Sequence, residues 1–415
     1  MINDKSKNFF WGASTATHQV EGNNYNQWSV WEEANAEKLA EKAEKNFSYL
    51  KNWNEIQSQA TDPKNYISGA GVEHYDRYQE DFDLAKSINL NSLRFSIEWS
   101  RIEPKEGEWD KDEIIHYKKY ISEMRKRNIE PFLNVWHWTV PVWFEDRGGF
   151  KKRYNLRYFD RFTKKIAQEF LVDVNYVFVL NEPLVYANMS YLTGNWPPNL
   201  KRPVTMVAVL LNLTKAHKIA YKNFKAYKPE IKIGIAAHIT NFKSAKNNTI
   251  GRLVVKTNNY FWNFWFLDRI KKQLDFIGIN HYFTNYFKDG RFNNNPNHPV
   301  SDMGWYMEPS SINMAIDNIW KKYNKPIIVS ENGLADQNDK NRQWWLDETF
   351  SSINKSKKFD ADVFGYLHWS LLDNFEWAYG WWPKFGLIEV DRKTMDRKIR
   401  KSALYYAQYI KKYNE

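Results

Sequence analysis

Short, mostly apolar runs that end on polar residues recur eight times along the chain. They fall at Phe9–Ser14, Ser92–Trp99, Pro131–Trp136, Tyr176–Asn181, Ile231–His238, Asp275–Tyr282, Pro326–Ser330 and Val363–Ser370. Near-continuous apolar runs of this length suit strands buried on both faces. Between them lie longer segments with helical patterning, among them Tyr78–Ile88, Asp112–Lys126, Leu156–Phe170, Val204–Tyr227, Ile312–Tyr323 and Asp339–Ser356. Strand alternating with helix predicts parallel βαβ units, and eight such units close a barrel. The expected fold is α/β, a single (β/α)8 TIM barrel with rim insertions, and one domain over residues 1–415. No linker or low-complexity tract divides the chain. The longest excursion, Ala34 to His74, opens with a charged, helix-like part (Ala34–Leu50) and has a breaker at Thr61-Asp62-Pro63. It reads as a lid-like insertion at the rim.

Composition narrows the function. Hydrophobic residues make up 43% of the 415, enough for a large core, while a mean hydropathy of -0.71 argues against an integral membrane protein. No apolar run approaches the ~20 residues of a membrane span. Met1 to Asn8 lacks the apolar core of a signal peptide, so a cytoplasmic location is expected. The absence of cysteine excludes disulfides, thiolate catalysis and cysteine-ligated metals. A net charge of +11 raises nucleic acid as a partner, but the basic residues read as scattered pairs, such as Lys118-Lys119, Lys151-Lys152 and Lys357-Lys358, with acids nearby. Solvated helix faces account for such pairs, and nucleic-acid binding is not expected. Twenty Trp residues are many for this length. Most must pack in the core, yet aromatic faces also serve as platforms for sugars.

Two of the strand-like runs end in the same way. Pro326 to Gly333 reads PIIVSENG and Tyr176 to Pro183 reads YVFVLNEP, so each run delivers a glutamate, Glu331 or Glu182, at its tip. An unpaired carboxylate there is too costly to point into a core and is expected to face a cleft. Either glutamate alone could simply begin a solvated loop. Two such carboxylates 149 residues apart share no local element. At the C-terminal rim of a parallel barrel they are what glycoside hydrolysis requires, one as acid/base and the other as nucleophile.

VLNEP and VSENG resemble the two signature segments of glycoside hydrolase family 1, the retaining β-glucosidases and β-galactosidases. The resemblance runs nearly end to end, from Phe9-Phe10-Trp11-Gly12 to Lys401-Ser402-Ala403, with at least six motifs in order. It implies Glu331 as nucleophile and Glu182 as acid/base. Arg94 and Tyr282 are expected beside the nucleophile, holding its pKa down, and a structural ion pair is the other reading of Arg94. Asn181 and Asn280 follow in the polar set, Asn181 toward the sugar 2-hydroxyl. Gln19, His137 and Trp138 would line the sugar pocket, with Trp369 as its stacking floor, Glu376 bonding two hydroxyls and Trp377 beside it. A lone His at a strand end, as His137 is, is more often structural. A carboxylate at Glu376 disfavours a 6-phosphorylated sugar. The implied activity is exo-hydrolysis of β-D-glucosides, with β-galactosides or β-fucosides also possible substrates, on small-molecule or oligosaccharide β-glycosides. The alternatives are a 6-phospho-β-glycosidase and a catalytically silent sugar-binding protein on the same barrel. A thioglucosidase is disfavoured by the presence of Glu182. No metal or cofactor is implied. The chain departs from the family pattern at His281, Trp381 and Lys384, the last two expected at the sugar pocket's border. It also departs in a shortened segment after the fifth strand, where Phe266-Leu267-Asp268 is followed almost at once by Asp275-Phe276-Ile277-Gly278. A short fifth helix and an opened cleft wall are expected there.

Overall fold

The computed structural model describes residues 9–245, 248–292 and 299–415. The Met1–Asn8 stretch therefore lies outside the described residues. Eight parallel strands form a closed barrel: β1 (Phe10–Ser14), β2 (Ser92–Ser96), β3 (Glu130–Trp136), β4 (Tyr176–Asn181), β5 (Lys232–His238), β6 (Ile277–Asn280), β7 (Ile327–Asn332) and β8 (Val363–Trp369). They pair in chain order, and β8 closes on β1 with Phe10 opposite Gly365 and Ser14 opposite Trp369. All eight expected strands are present, with two informative differences at their ends. Ile97 to Trp99 are not strand, because the chain turns at Glu98 into a short helix, Trp99–Ile102. The seventh strand, conversely, runs past Ser330 through Glu331 to Asn332, so Glu331 is held by the sheet rather than by a loop.

The helices form where one face is apolar. Leu156–Phe170 buries Leu156, Phe159, Phe162, Thr163, Ile166, Ala167 and Phe170, a spacing of three and four that makes one continuous stripe. It packs on the longer helix Pro203–Tyr227. Inside the barrel, Phe132, Phe178, Phe276, Ile328 and Leu367 form a separate apolar plug, with Phe10, Tyr176 and Phe364 at its edge. Its rings meet at 5.1 Å (Phe178 and Phe276) and 4.7 Å (Phe132 and Tyr176). This plug fills the N-terminal half of the barrel and forms a floor under the opposite rim.

The lid-like insertion is helical but begins earlier than expected. It comprises Gln27–Glu41, Ala43–Phe47 and Trp53–Ala60, followed by a single turn, Pro63–Tyr66, capped by the Asp62 side chain. Phe47, Leu50, Ile56 and Ala60 share one apolar cluster with Tyr282, Trp369, Trp382 and Phe385, which places the insertion against the C-terminal rim. The fifth helix is not short. Thr249–Asn259, a π-turn at Tyr260–Phe264 and Trp265–Ile270 follow one another without a break. A parallel pair of rim strands, Asn241–Ser244 and Thr284–Phe287, also escaped the sequence reading.

Candidate active site

The strands that carry the candidate residues shift register near their C-terminal ends. On β4 against β5 the irregularity lies between Phe178 and Asn181, and on β6 against β7 it falls at Asn280, which then stands opposite Glu331. Such shifts re-aim side chains. Below them the plug residues Phe178 and Phe276 point inward; above them Asn181, Asn280 and Glu331 do. Glu182 continues the turn in the left-handed region, at φ +41°, with its amide still bonded to the Ala236 carbonyl at 2.8 Å. Pro183 follows at the first helical position, where its missing N–H costs nothing. Gly333, just past Glu331, has a specific reason: an added Cβ would lie 1.8 Å from the Trp369 carbonyl oxygen.

Both oxygens of Glu331 are engaged. Arg94, fully buried on β2, donates to Oε1, and the Tyr282 hydroxyl donates to Oε2 at 2.8 Å. The second Arg94 nitrogen reaches Asn181 Oδ1 at 2.7 Å, and the guanidinium lies 5.1 Å from the Phe178 ring centroid. The ion pair foreseen as the alternative role of Arg94 is thus made to Glu331 itself. Glu182 has a different neighbourhood. Its Oε1 accepts from Asn280 Nδ2 at 2.7 Å, and that amide is turned by Ser330 Oγ, which donates to Asn280 Oδ1 at 2.7 Å.

These surroundings separate the two carboxyls electrostatically. Burial, and then the charge of Glu331, push Glu182 well above the usual carboxylate range. Glu331 does not show the depressed pKa expected from its cationic neighbour. Burial outweighs Arg94 and Tyr282 and leaves its carboxyl raised as well. The donors on Glu331 nevertheless favour placing the pair's single negative charge there and the proton on Glu182.

The other expected pocket residues converge on the same rim. Asn181 Oδ1 accepts from Arg94 and, at 3.2 Å, from Asn280, so its Nδ2 faces His137 Nε2 at 3.0 Å. His137 therefore accepts at Nε2 and carries its proton on Nδ1, which meets the Asn134 side-chain amide at 3.2 Å; that amide accepts the proton when its otherwise unpartnered oxygen is turned toward the ring. Burial, then Arg94, hold this imidazole neutral, well below its ordinary pKa. Trp138 donates from Nε1 to the Asn181 carbonyl at 2.9 Å. The ring of Trp369 lies 6.0 Å from His137, and Trp377 packs into a wall with Trp28, Trp138 and Trp196. Gln19 Nε2 bonds the Phe375 carbonyl at 2.7 Å and Asn374 Oδ1 at 3.0 Å, with Glu376 Oε2 at 3.4 Å. Its Oε1 is buried with no partner among the described residues. Glu376 is half-buried, and burial together with Glu331 pushes its carboxyl up to about 8.

One expectation fails. Trp381 does not border this pocket: its Nε1 bonds the Ile67 carbonyl at 2.9 Å and Arg392 lies 3.4 Å over its ring, so it anchors the lid insertion. Burial lowers the pKa of Lys384, and the charge of Asp373, a carboxylate that Arg400 pairs at 2.8 Å, opposes that shift. His281 is buried and bonds the Ile239 carbonyl at 2.7 Å. Sequence reading also missed groups that matter. Ser330 orients Asn280, yet a serine inside an apolar run carries no signal of that role. His238 ends β5 and lines with Glu182 a cavity of about 10 Å³, its Nδ1 accepting from Trp262 at 2.9 Å. Trp305, on a rim loop without periodicity, packs 5.7 Å from the Tyr282 ring.

The glycosyl hydrolase family 1 model matches residues 3–272 and 266–415. The two matched stretches overlap at residues 266–272, at the end of the fifth helix. Beta-glucosidase A of Acetivibrio thermocellus is 27% identical, over 98% of each chain, and the beta-galactosidase of Saccharolobus solfataricus is 27% identical over 84% of this chain and 87% of its own. Among solved structures, a beta-glycosidase from Pyrococcus horikoshii superposes with a TM-score of 0.86 at 31% identity, covering 98% of this chain and 97% of that one.

Proposed function

From the premise that the chain belongs to glycosyl hydrolase family 1, we propose that it is a retaining exo-β-glycosidase acting on β-D-glucosides in the cytoplasm. β-Galactosides and β-fucosides fall within the same reading. One observation carries it: two buried carboxyls at one rim, the first held by an arginine and a tyrosine, the second by an amide alone. That asymmetry suits double displacement. An oxygen of Glu331 attacks the anomeric carbon as the bond to the leaving oxygen breaks, and Glu182 gives that oxygen its proton. In the second step Glu182 takes a proton from water, the water oxygen bonds the anomeric carbon, and the ester to Glu331 breaks. Once Glu331 is esterified its charge no longer raises the Glu182 pKa, which eases the change from acid to base.

Gln19, His137, Asn181, Glu376 and Trp369 are the proposed sugar contacts. The unpartnered Oε1 of Gln19 is an acceptor available to a hydroxyl. Losing such a contact leaves a buried polar group alone, which is how the site would discriminate among sugars. A 6-phosphate is disfavoured because Glu376 makes no ion pair among the described residues and has Glu331 as an electrostatic neighbour. A phosphate there would meet the Glu376 carboxyl with no cation paired to it among the described residues, and the one beside Glu331, Arg94, is already engaged. A silent binding protein would have no use for the Arg94 and Tyr282 donors on Glu331.

The test is hydrolysis of an aryl β-glucoside and of its 6-phosphate. The plain glucoside should be cleaved, and Glu331→Gln should lower kcat by about 10⁴-fold or more. Cleavage of the 6-phosphate alone would favour the phospho-glycosidase. Sugar binding by a folded protein that cleaves neither would favour the binding protein.

A further inference from the structure

The positive charge of the chain is not scattered after all. Residues 183–267 contain twelve Lys and Arg but a single acid, Glu230, an excess equal to the +11 of the whole chain. The remaining residues are balanced. This stretch builds one side of the barrel: helix Pro203–Tyr227, strand β5, the rim strand Asn241–Ser244 and the helix that runs from Thr249 to Ile270. The two helices pack against one another through Trp265–Ile270.

Both helices turn apolar side chains outward. On the first, which has no acidic residue, Val204, Val207 and Leu211 are exposed at positions i, i+3 and i+7, Val204 at 84%. On the second, Ile250, Leu253 and Phe261 are 71%, 64% and 53% exposed. Their spacing puts them on one stripe. Arg252 and Lys256 are exposed along its flank, and neither makes an ion pair among the described residues. Single exposed apolar residues are ordinary, but an exposed stripe on each of two helices that pack together, within the most basic part of the chain, is not.

We propose that this face docks on the surface of a bilayer rich in anionic phospholipid. Branched aliphatic side chains and an aromatic ring would enter the headgroup boundary while the flanking cations meet lipid phosphates. Nucleic acid would use the cations but has no need of exposed Val204, Ile250 or Leu253. A second copy would set like charge against like charge. The second helix starts beside the C-terminal end of β5, so docking would hold the rim carrying Glu182 and Glu331 near the membrane. The inference does not depend on the proposed hydrolysis.

Sedimentation of the full chain with vesicles tests it, using an equimolar mixture of phosphatidylglycerol and phosphatidylcholine against phosphatidylcholine alone. Binding is expected to the anionic vesicles only and to weaken between about 0.05 M and 0.5 M salt. Ile250→Ser/Leu253→Ser/Phe261→Ser and, separately, Arg252→Gln/Lys256→Gln should each weaken it roughly tenfold or more. Thermal melting would verify that both variants fold, and the charge variant stands alone if the serine variant does not. No sedimentation with anionic vesicles, or unchanged binding by a folded variant, would overturn the proposal. So would a dimer abolished by the serine variant, or binding of single-stranded RNA tighter than vesicles and indifferent to the serine changes.

Discussion

The two ends of the barrel are built by the same eight strands and differ in almost everything else. Toward the N-terminal end the inward positions of β3, β4 and β6's lead-in carry Phe132, Phe178 and Phe276, packed ring against ring. Toward the C-terminal end β4, β6 and β7 carry Asn181, Asn280 and Glu331, linked with Arg94 and Tyr282 in one hydrogen-bonded set. A concavity of about 1140 Å³ opens at the N-terminal mouth, lined by Phe10, Tyr176, Phe276 and Phe364. It is roomy, yet neither Glu182 nor Glu331 reaches it, so volume is a poor guide to chemistry here. The difference teaches that the plug is part of the site. By excluding water beneath the polar layer it lowers the local dielectric, and that burial is the leading cause of the raised pKa of both glutamates.

The comparison can be broken first at the polar end. Glu182→Gln removes the proton donor and should slow hydrolysis of a glycoside with a poor leaving group by about 10² to 10⁴-fold. It should also abolish the alkaline limb of the kcat/KM profile. Activity requires Glu331 ionised and Glu182 protonated, so rate falls at low pH as Glu331 gains a proton and at high pH as Glu182 loses one. Burial displaces both limbs upward from ordinary carboxylate values. A pH series on the wild type and the variant checks this.

At the other end, Phe276→Ala empties the middle of the plug. Deleting a buried ring of this kind costs about 3–5 kcal/mol, read as a lower midpoint in denaturant melts. If water then enters beneath the polar layer, the alkaline limb should also shift down. A smaller change sharpens the contrast between the carboxyls themselves. Tyr282→Phe removes one donor to Glu331, a bond to a charged group worth about 1.5–3 kcal/mol. The expected result is a kcat/KM roughly ten- to a hundredfold lower, with the acid limb moved to higher pH.

Much of this was legible in the sequence because it rests on local patterns. The helices Leu156–Phe170 and Ile312–Tyr323 have the bounds their apolar spacing predicts. The two glutamates were found because each ends an apolar run. What stayed hidden depends on three dimensions. The register shift that aims Asn280 comes from strand pairing, and the serine that turns its amide sits one residue before Glu331 with nothing to mark it. Trp381 was assigned to the sugar pocket by its place in a motif, but the lid insertion supplies the carbonyl that turns it away. The pKa of Glu331 was misjudged because a cationic neighbour can be read from a strand, whereas the depth of burial cannot.

The central claim is that Glu331 acts as a nucleophile on one side of the anomeric carbon of a bound sugar and Glu182 as acid/base on the other. Proton NMR of the first sugar released from an aryl β-glucoside, recorded before mutarotation, tests it most directly. Two inversions at the anomeric carbon predict the β-anomer first. Release of the α-anomer would mean a single displacement by water, and the covalent role assigned to Glu331 would be wrong.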